Sequence, residues 1–208
     1  MRDSTKKTVV EAARRGRPRA YDPVEALLRA TDVFWKAGYS RTSLDDVSAA
    51  TGMNRPSLYA AFGDKHSLYL SALLGYWTLK FEVIRESLDG GTLVEALLRT
   101  YDAALAVYFP ESGRARGCFV VGTAITETVE DREIGEIVAA GFRRLDADFA
   151  TRFRAAREQG ELRADADPEA LAMLATATMQ SAALRARAGA PQPELREMAR
   201  KAVAVMCS

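Results

Sequence analysis

Few side chains in these 208 residues have the type and spacing for covalent chemistry. The one histidine, His66, has no imidazole or cysteine partner in sequence reach, so neither a metal set nor a base-nucleophile pair assembles around it. It reads as an exposed polar residue in a first helical turn. Cys118 and Cys207 are the only cysteines, too few for a disulfide framework and without metal-ligand spacing. No glycine-rich phosphate loop follows a strand. No catalytic residue, metal ligand or cofactor is therefore expected, and an enzyme is the class least supported. What the chain does offer is hydrogen-bond chemistry toward a polyanion: Arg55, Ser57 and Tyr59 in one short segment, Lys65 soon after, and Arg17 and Arg19 in the stretch ARRGRPRAY.

The elements that would hold these groups are legible. Asp22 and Pro23 suit the start of a helix, Val24, Leu27, Leu28, Thr31, Phe34 and Trp35 recur at helical spacing, and Gly38 stops it. Thr42 or Ser43 then caps a second helix, each with an aspartate three residues on, Asp45 or Asp46, as capping-box partner. Leu44 and Val47 face inward. Gly52 supplies a left-handed turn residue, and Asn54 caps a third helix to Phe62 with Pro56 in its first turn. Two helices joined by so short a glycine turn make a helix-turn-helix, whose second helix enters the DNA major groove. That helix is too short to be stable alone, so Leu58 and Phe62 must pack inward and leave Arg55, Ser57, Tyr59 and Ala61 nearer the outer side. Asp64 caps a long helix to about Leu88, whose free first-turn amides beside Lys65 suit a backbone phosphate.

Charge supports the same end of the molecule. The first twenty residues carry seven basic side chains against two acidic ones, a local +5, whereas the remainder stands at −4 and the total at +1. Residues 1–21 read as a basic arm: a solvated terminus, or arginines for a narrow minor groove.

The run GYSRTSLDDVSAATGMNRPSLYAAFGDKHSLY resembles the N-terminal signature of the TetR family of transcriptional regulators, a likeness covering about residues 22–75. The resemblance implies an all-helical homodimer that binds palindromic operators in double-stranded DNA, usually as a repressor, and is released by a small ligand. One departure is Ala60-Ala61, where members often carry larger groups; base reading then leans on Arg55, Tyr59 and thymine methyl contacts. The candidate DNA contacts are Arg17, Arg19, Thr42, Ser43, Asn54, Arg55, Pro56, Ser57, Tyr59, Ala61 and Lys65.

Residues 22–68 thus form an expected DNA-binding domain and 69–208 a ligand-binding and dimerisation domain, all-α with about nine helices in total. In the second part, helices are expected over Thr92 to Tyr108, through the apolar GCFVVGTAITETV, from about Asp131 to Glu158, from Asp167-Pro168 through Leu184, and from Glu194 to Met206. The Gly117-Cys118 pair resembles that of a subset of TetR-like proteins in which it opens a helix beside the effector pocket. Candidate pocket residues are Phe81, Tyr101, Tyr108, Cys118, Phe119, Thr123, Phe142, Phe149, Met173 and Gln180; plain core packing is the competing reading for each, since core and pocket use the same residue types. Their aromatic bias points to a mostly apolar effector. Cys118 also admits a thiol sensor of electrophiles or oxidants, provided Arg114 or Arg116 folds back on it, against the ordinary reading of a buried inert thiol. The last two helices carry apolar faces suited to a four-helix homodimer interface, with burial inside the monomer the competing reading for the final helix.

Composition excludes other classes. Apolar content of 48% and charged content of 27% are those of a globular protein, and no apolar run spans a membrane. Two cysteines and a charged N-terminus without an apolar leader region favour a reducing cytoplasm. A nonspecific architectural DNA binder fits poorly with the acidic body and large apolar C-terminal part.

Overall fold

The computed structural model describes residues 21–110 and 115–208. The expected contacts at Arg17 and Arg19, and the proposed role of Arg114, fall outside them. Among the described residues there are eight α-helices, a π-helical turn, a 3-10 turn and no strand: α1 Pro23–Ala37, α2 Leu44–Thr51, α3 Arg55–Phe62, α4 Lys65–Leu88, α5 Leu93–Tyr108, the π turn Val120–Ala124, the 3-10 turn Glu127–Val129, α6 Arg132–Glu158, α7 Pro168–Arg187 and α8 Gln192–Met206.

Each boundary has a chemical cause. The Asp22 carboxylate accepts from the Val24 amide at 2.8 Å, and Asp64 does the same for Ser67 at 2.8 Å. Thr92 and Glu95 form a capping box at the start of α5, and Asp131 and Asp167 cap α6 and α7. α4 runs unbroken past residue 68, so the DNA-facing and C-terminal parts share one 24-residue helix, about 36 Å at 1.5 Å per residue.

The helical reading of residues 117–129 holds only in part. The chain is helical from Phe119, but Ile125 donates to the Val120 carbonyl at 3.3 Å, five residues back, and the helix gives way to turns. Thr123 contributes to this: its hydroxyl donates to the Phe119 carbonyl at 2.8 Å and lies 2.8 Å from the Tyr69 hydroxyl. A π turn of this sort re-aims side chains by one position.

The core is continuous from end to end. Phe34, Val47, Leu58 and Leu68 are buried between α1 and α4. Phe119 then joins the two parts, with ring centroids 5.4 Å from Trp35, 5.8 Å from Tyr69 and 5.6 Å from Tyr76. Beyond it, Tyr101, Leu105, Leu145, Phe149, Phe153 and Met179 fill the space among α5, α6 and α7.

Candidate nucleic-acid interface and ligand cavity

The α2-α3 pair is locked by its own polar side chains. Ser43 is the cap of α2: its amide donates to Asp46 Oδ2 at 2.8 Å while the Asp46 amide donates to Ser43 Oγ at 3.2 Å. Thr42, the other expected cap and an expected DNA contact, is 2% exposed, and its hydroxyl donates to the Gly38 carbonyl at 2.7 Å. Its side chain is therefore not on the outer face. Gly52 adopts φ 71°, the Ser48 hydroxyl donates to the Met53 carbonyl, and Thr51 Oγ1 donates to the Val47 carbonyl at 2.8 Å. These bonds fix the turn, and Asn54 Oδ1 then accepts from the Ser57 amide at 2.9 Å to start α3.

The result is a short helix with one face open to solvent. Asn54, Arg55, Pro56, Tyr59 and Ala60 are exposed, Ser57 and Ala61 half-buried, and Leu58 buried. Arg55 is not free, however. Its Nε donates to Asp45 Oδ1 at 2.7 Å and its Nη2 to Asp45 Oδ2, a bidentate pair between α2 and α3. This hydrogen bonding holds the Asp45 carboxyl below its ordinary range.

Lys65 has partners within the protein. Its ammonium donates to the carbonyls of Tyr39 at 3.0 Å and Thr42 at 2.9 Å and lies 4.3 Å from the centre of the Tyr39 ring. It clamps the α1-α2 loop to α4, which leaves one of its three donors for a phosphate.

His66 is also not the solitary exposed group that the sequence suggests. It is half-buried, with Nε2 2.7 Å from Asp131 Oδ2, while the Ser40 hydroxyl donates to Glu127 Oε1 at 2.9 Å. Residues 87 and 65 positions apart thus tie the DNA-facing part to the segment entering α6. No periodic signal reports such a bridge.

A cavity of about 130 Å³ lies between α4 and α5, walled by Trp35, Tyr76, Leu79, Lys80, Val83, Ile84, Ala103, Ala104, Val107, Tyr108 and Arg116. Larger surface clefts exist, such as one of about 590 Å³ beside Arg85, Glu86 and Arg152, but these are more open and lined by more charge. Of the ten residues expected to line a pocket, Tyr108 is in this wall. Cys118 and Phe119 are buried behind Tyr76. Tyr101 donates to the Ala175 carbonyl at 3.0 Å, Phe81 stacks on Trp77 with centroids 5.1 Å apart, and Phe142 meets the same Trp77 edge-on at 5.6 Å. Thr123 and Phe149 are buried and Gln180 half-buried, none of them in this wall. Met173 is 58% exposed on the outer side of α7.

The sequence reading missed Trp35, Tyr76 and Lys80 as cavity residues. Lys80 has a faint signal, a lone cation within the apolar run YWTLKF. Its ammonium lies 3.8 Å from Cys118 Sγ, and the Tyr76 hydroxyl donates to the same sulfur at 3.2 Å. Arg116, expected near that thiol, instead stacks on Trp35 at 3.8 Å and pairs with Asp32 of α1 at 3.0 Å. Burial pushes the Tyr76 and Tyr108 hydroxyls well above their ordinary pKa, so both keep their protons at neutral pH.

A capped two-helix unit with an exposed polar second helix, on an all-helical scaffold, defines the helix-turn-helix class of DNA-binding proteins. The comparisons narrow that class. The family model described as bacterial regulatory proteins, tetR family, matches residues 27–72, and that described as tetracyclin repressor-like, C-terminal domain, matches residues 94–203. The chain belongs to the TetR family of DNA-binding transcriptional regulators. It is similar to the uncharacterized HTH-type transcriptional regulator YezE of Bacillus subtilis, 34% identical over 76% of this chain and 81% of that protein. The HTH-type transcriptional repressor ComR of Escherichia coli is 29% identical, with 89% of each chain covered. Among solved structures, a cysteine mutant of the TetR family transcriptional regulator CifR, complexed with 26-bp double-strand operator DNA, superposes with a TM-score of 0.83 at 33% identity, over 91% of this chain and 98% of that one.

Proposed function

We propose that the protein is a homodimeric repressor that reads an inverted-repeat operator through α3 and is released from it by a small, mostly apolar effector. The observation that carries this reading is the shared wall of the cavity. Trp35 belongs to α1 and Arg116 is paired to Asp32 of α1, so a ligand between α4 and α5 touches the helix on which α2 and α3 rest. A ligand that prefers a displaced α1 shifts the recognition helices with it, and the coupling is reciprocal.

Further support comes from the surface. α7 and α8 expose Met173, Leu174, Leu184 and Val205, the last 73% accessible. Apolar residues of this size on two neighbouring helices suit a four-helix contact with a second copy. The repressor role agrees with the relative ComR, which is named a repressor, and operator binding with the CifR complex. On α3, Arg55 is assigned to a guanine, Tyr59 and the alanines to apolar edges, and Asn54, Ser43 and the α4 amides to phosphates. The test is selection of bound sequences from random DNA, followed by a compound screen for release. Loss of operator affinity on adding a saturating compound supports the reading; a selected operator that no cavity-binding compound releases contradicts it.

A second reading has its own observation. Cys118 is 2% exposed but has both a hydroxyl donor and an ammonium at its sulfur, from Tyr76 and Lys80. Tyr76 and Lys80 both belong to the cavity wall, so a group added to this sulfur would be felt there. Cys207 lacks this setting, and burial raises its pKa. Electrophile-triggered release that persists in Cys118→Ser removes the thiol-sensor reading.

A further inference from the structure

The cavity wall is almost entirely apolar, and its two charged groups are both cations. Lys80 has no carboxylate within 4 Å among the described residues, and Arg116 lies against Trp35 with its pairing to Asp32 half open to solvent. Apolar walls with two cations and no carboxylate among the lining residues are complementary to an anion that carries an apolar body.

We propose that this cavity binds a small carboxylic acid whose apolar body is about the size of a benzene ring. A cavity of about 130 Å³ is close to the ~150 Å³ that accommodates benzene in an apolar protein interior, which sets the scale of the body. Leu79, Val83, Ile84 and Val107 face that body. The carboxylate takes the remaining chemistry: an acceptor-only group with two oxygens meets the Lys80 ammonium and the Arg116 guanidinium, which compensate its charge. A neutral alcohol of the same size satisfies fewer donors and leaves the ammonium without a counterion. An amine adds a third cation and is excluded. Because Arg116 already holds Asp32, the incoming carboxylate competes with α1 for the same guanidinium. This inference rests on the effector reading above and gives its ligand a chemical class.

Isothermal titration of the full chain with benzoate, benzyl alcohol and benzylamine, and with the matched hexanoate, hexanol and hexylamine, tests it. The acid of at least one set should bind saturably and at least tenfold more tightly than its alcohol, with no binding by the amine. Lys80→Met should weaken the acid tenfold or more while leaving the alcohol unchanged, and Lys80→Arg should restore it. Acids that bind no better than their alcohols, Lys80→Met without effect on the acid, or no binding in either set overturns the proposal. The release reading fails separately: tight acid binding that leaves operator affinity unchanged supports the acid site and contradicts effector release, whereas operator release by a neutral compound with no acid binding does the reverse.

Discussion

In the proposed reading Arg55 is the residue on which base recognition most depends, and in the free protein Asp45 holds it. The bidentate pair aligns the guanidinium across the α2-α3 turn but has to yield, or share a donor, when a guanine edge arrives. Arg55→Ala should cost about 1 to 3 kcal/mol of discrimination at one base position per half-site, read by competition between operator and single-base variants. Asp45→Asn should move the other way on nonspecific DNA, raising its affinity because a negative charge leaves the face that meets phosphates. Arg55 and Tyr59 were legible as surface groups because Leu58 and Phe62, four residues apart, take the inward face of so short a helix. The Asp45 partner was not, since a contact across a turn has no periodicity. The clamping role of Lys65 was hidden for the same reason: a lysine at a helix start reads only as a phosphate ligand until its two carbonyl partners, 26 and 23 positions away, are seen. Lys65→Met should therefore lower stability by about 2 kcal/mol in urea unfolding, as expected for hydrogen bonds to a charged group.

At the scale of elements, the fit of α4 against α6 depends on a missing side chain. A Cβ at Gly141 would stand 2.1 Å from Trp77 Cε2, and both residues lie inside their helices. Gly141→Ala should cost roughly 1 to 3 kcal/mol as an overpacked contact, measured by chemical unfolding, and Trp77 fluorescence should report the shift. The start of α6 carries a second prediction. The Ile134 amide, and then His66, hold the Asp131 carboxyl below the ordinary carboxylate range. A carboxyl whose folded pKa is depressed contributes stability above its unfolded pKa, near 4, and loses it as pH falls through the lower folded value. Asp131→Ala should thus lower stability by about 1 kcal/mol at neutral pH, the worth of a helix cap, and the difference from the parent chain should close as pH falls below about 4. The long helices and their caps were readable from Asp, Pro and Gly positions with apolar spacing between them. The π turn was not, because apolar spacing and cap residues carry no mark of the bond from Ile125 back to Val120.

For the whole molecule, the reading requires two copies. α7 and α8 expose apolar side chains that a monomer leaves in water, so Leu184→Glu with Val205→Glu should convert a dimer into monomers in sedimentation equilibrium and lower operator affinity with it. Twofold symmetry sets two α3 helices about 34 to 36 Å apart, one turn of B-DNA, or a near variant of this. The general plan, a small DNA-facing unit on a larger helical body, was visible in the sequence. The cavity was not, because core and pocket residues are of the same types, and only packing shows that Tyr108 borders space while Phe149 does not.

The most direct test is selection of binding sites from random DNA, performed in parallel on the parent chain and Arg55→Ala. The parent should recover an inverted repeat bound by one dimer, with a guanine at the same place in each half-site, and Arg55→Ala should lose preference at that position alone. Recovery of no repeat, or of the same sequences by both proteins, would contradict the account.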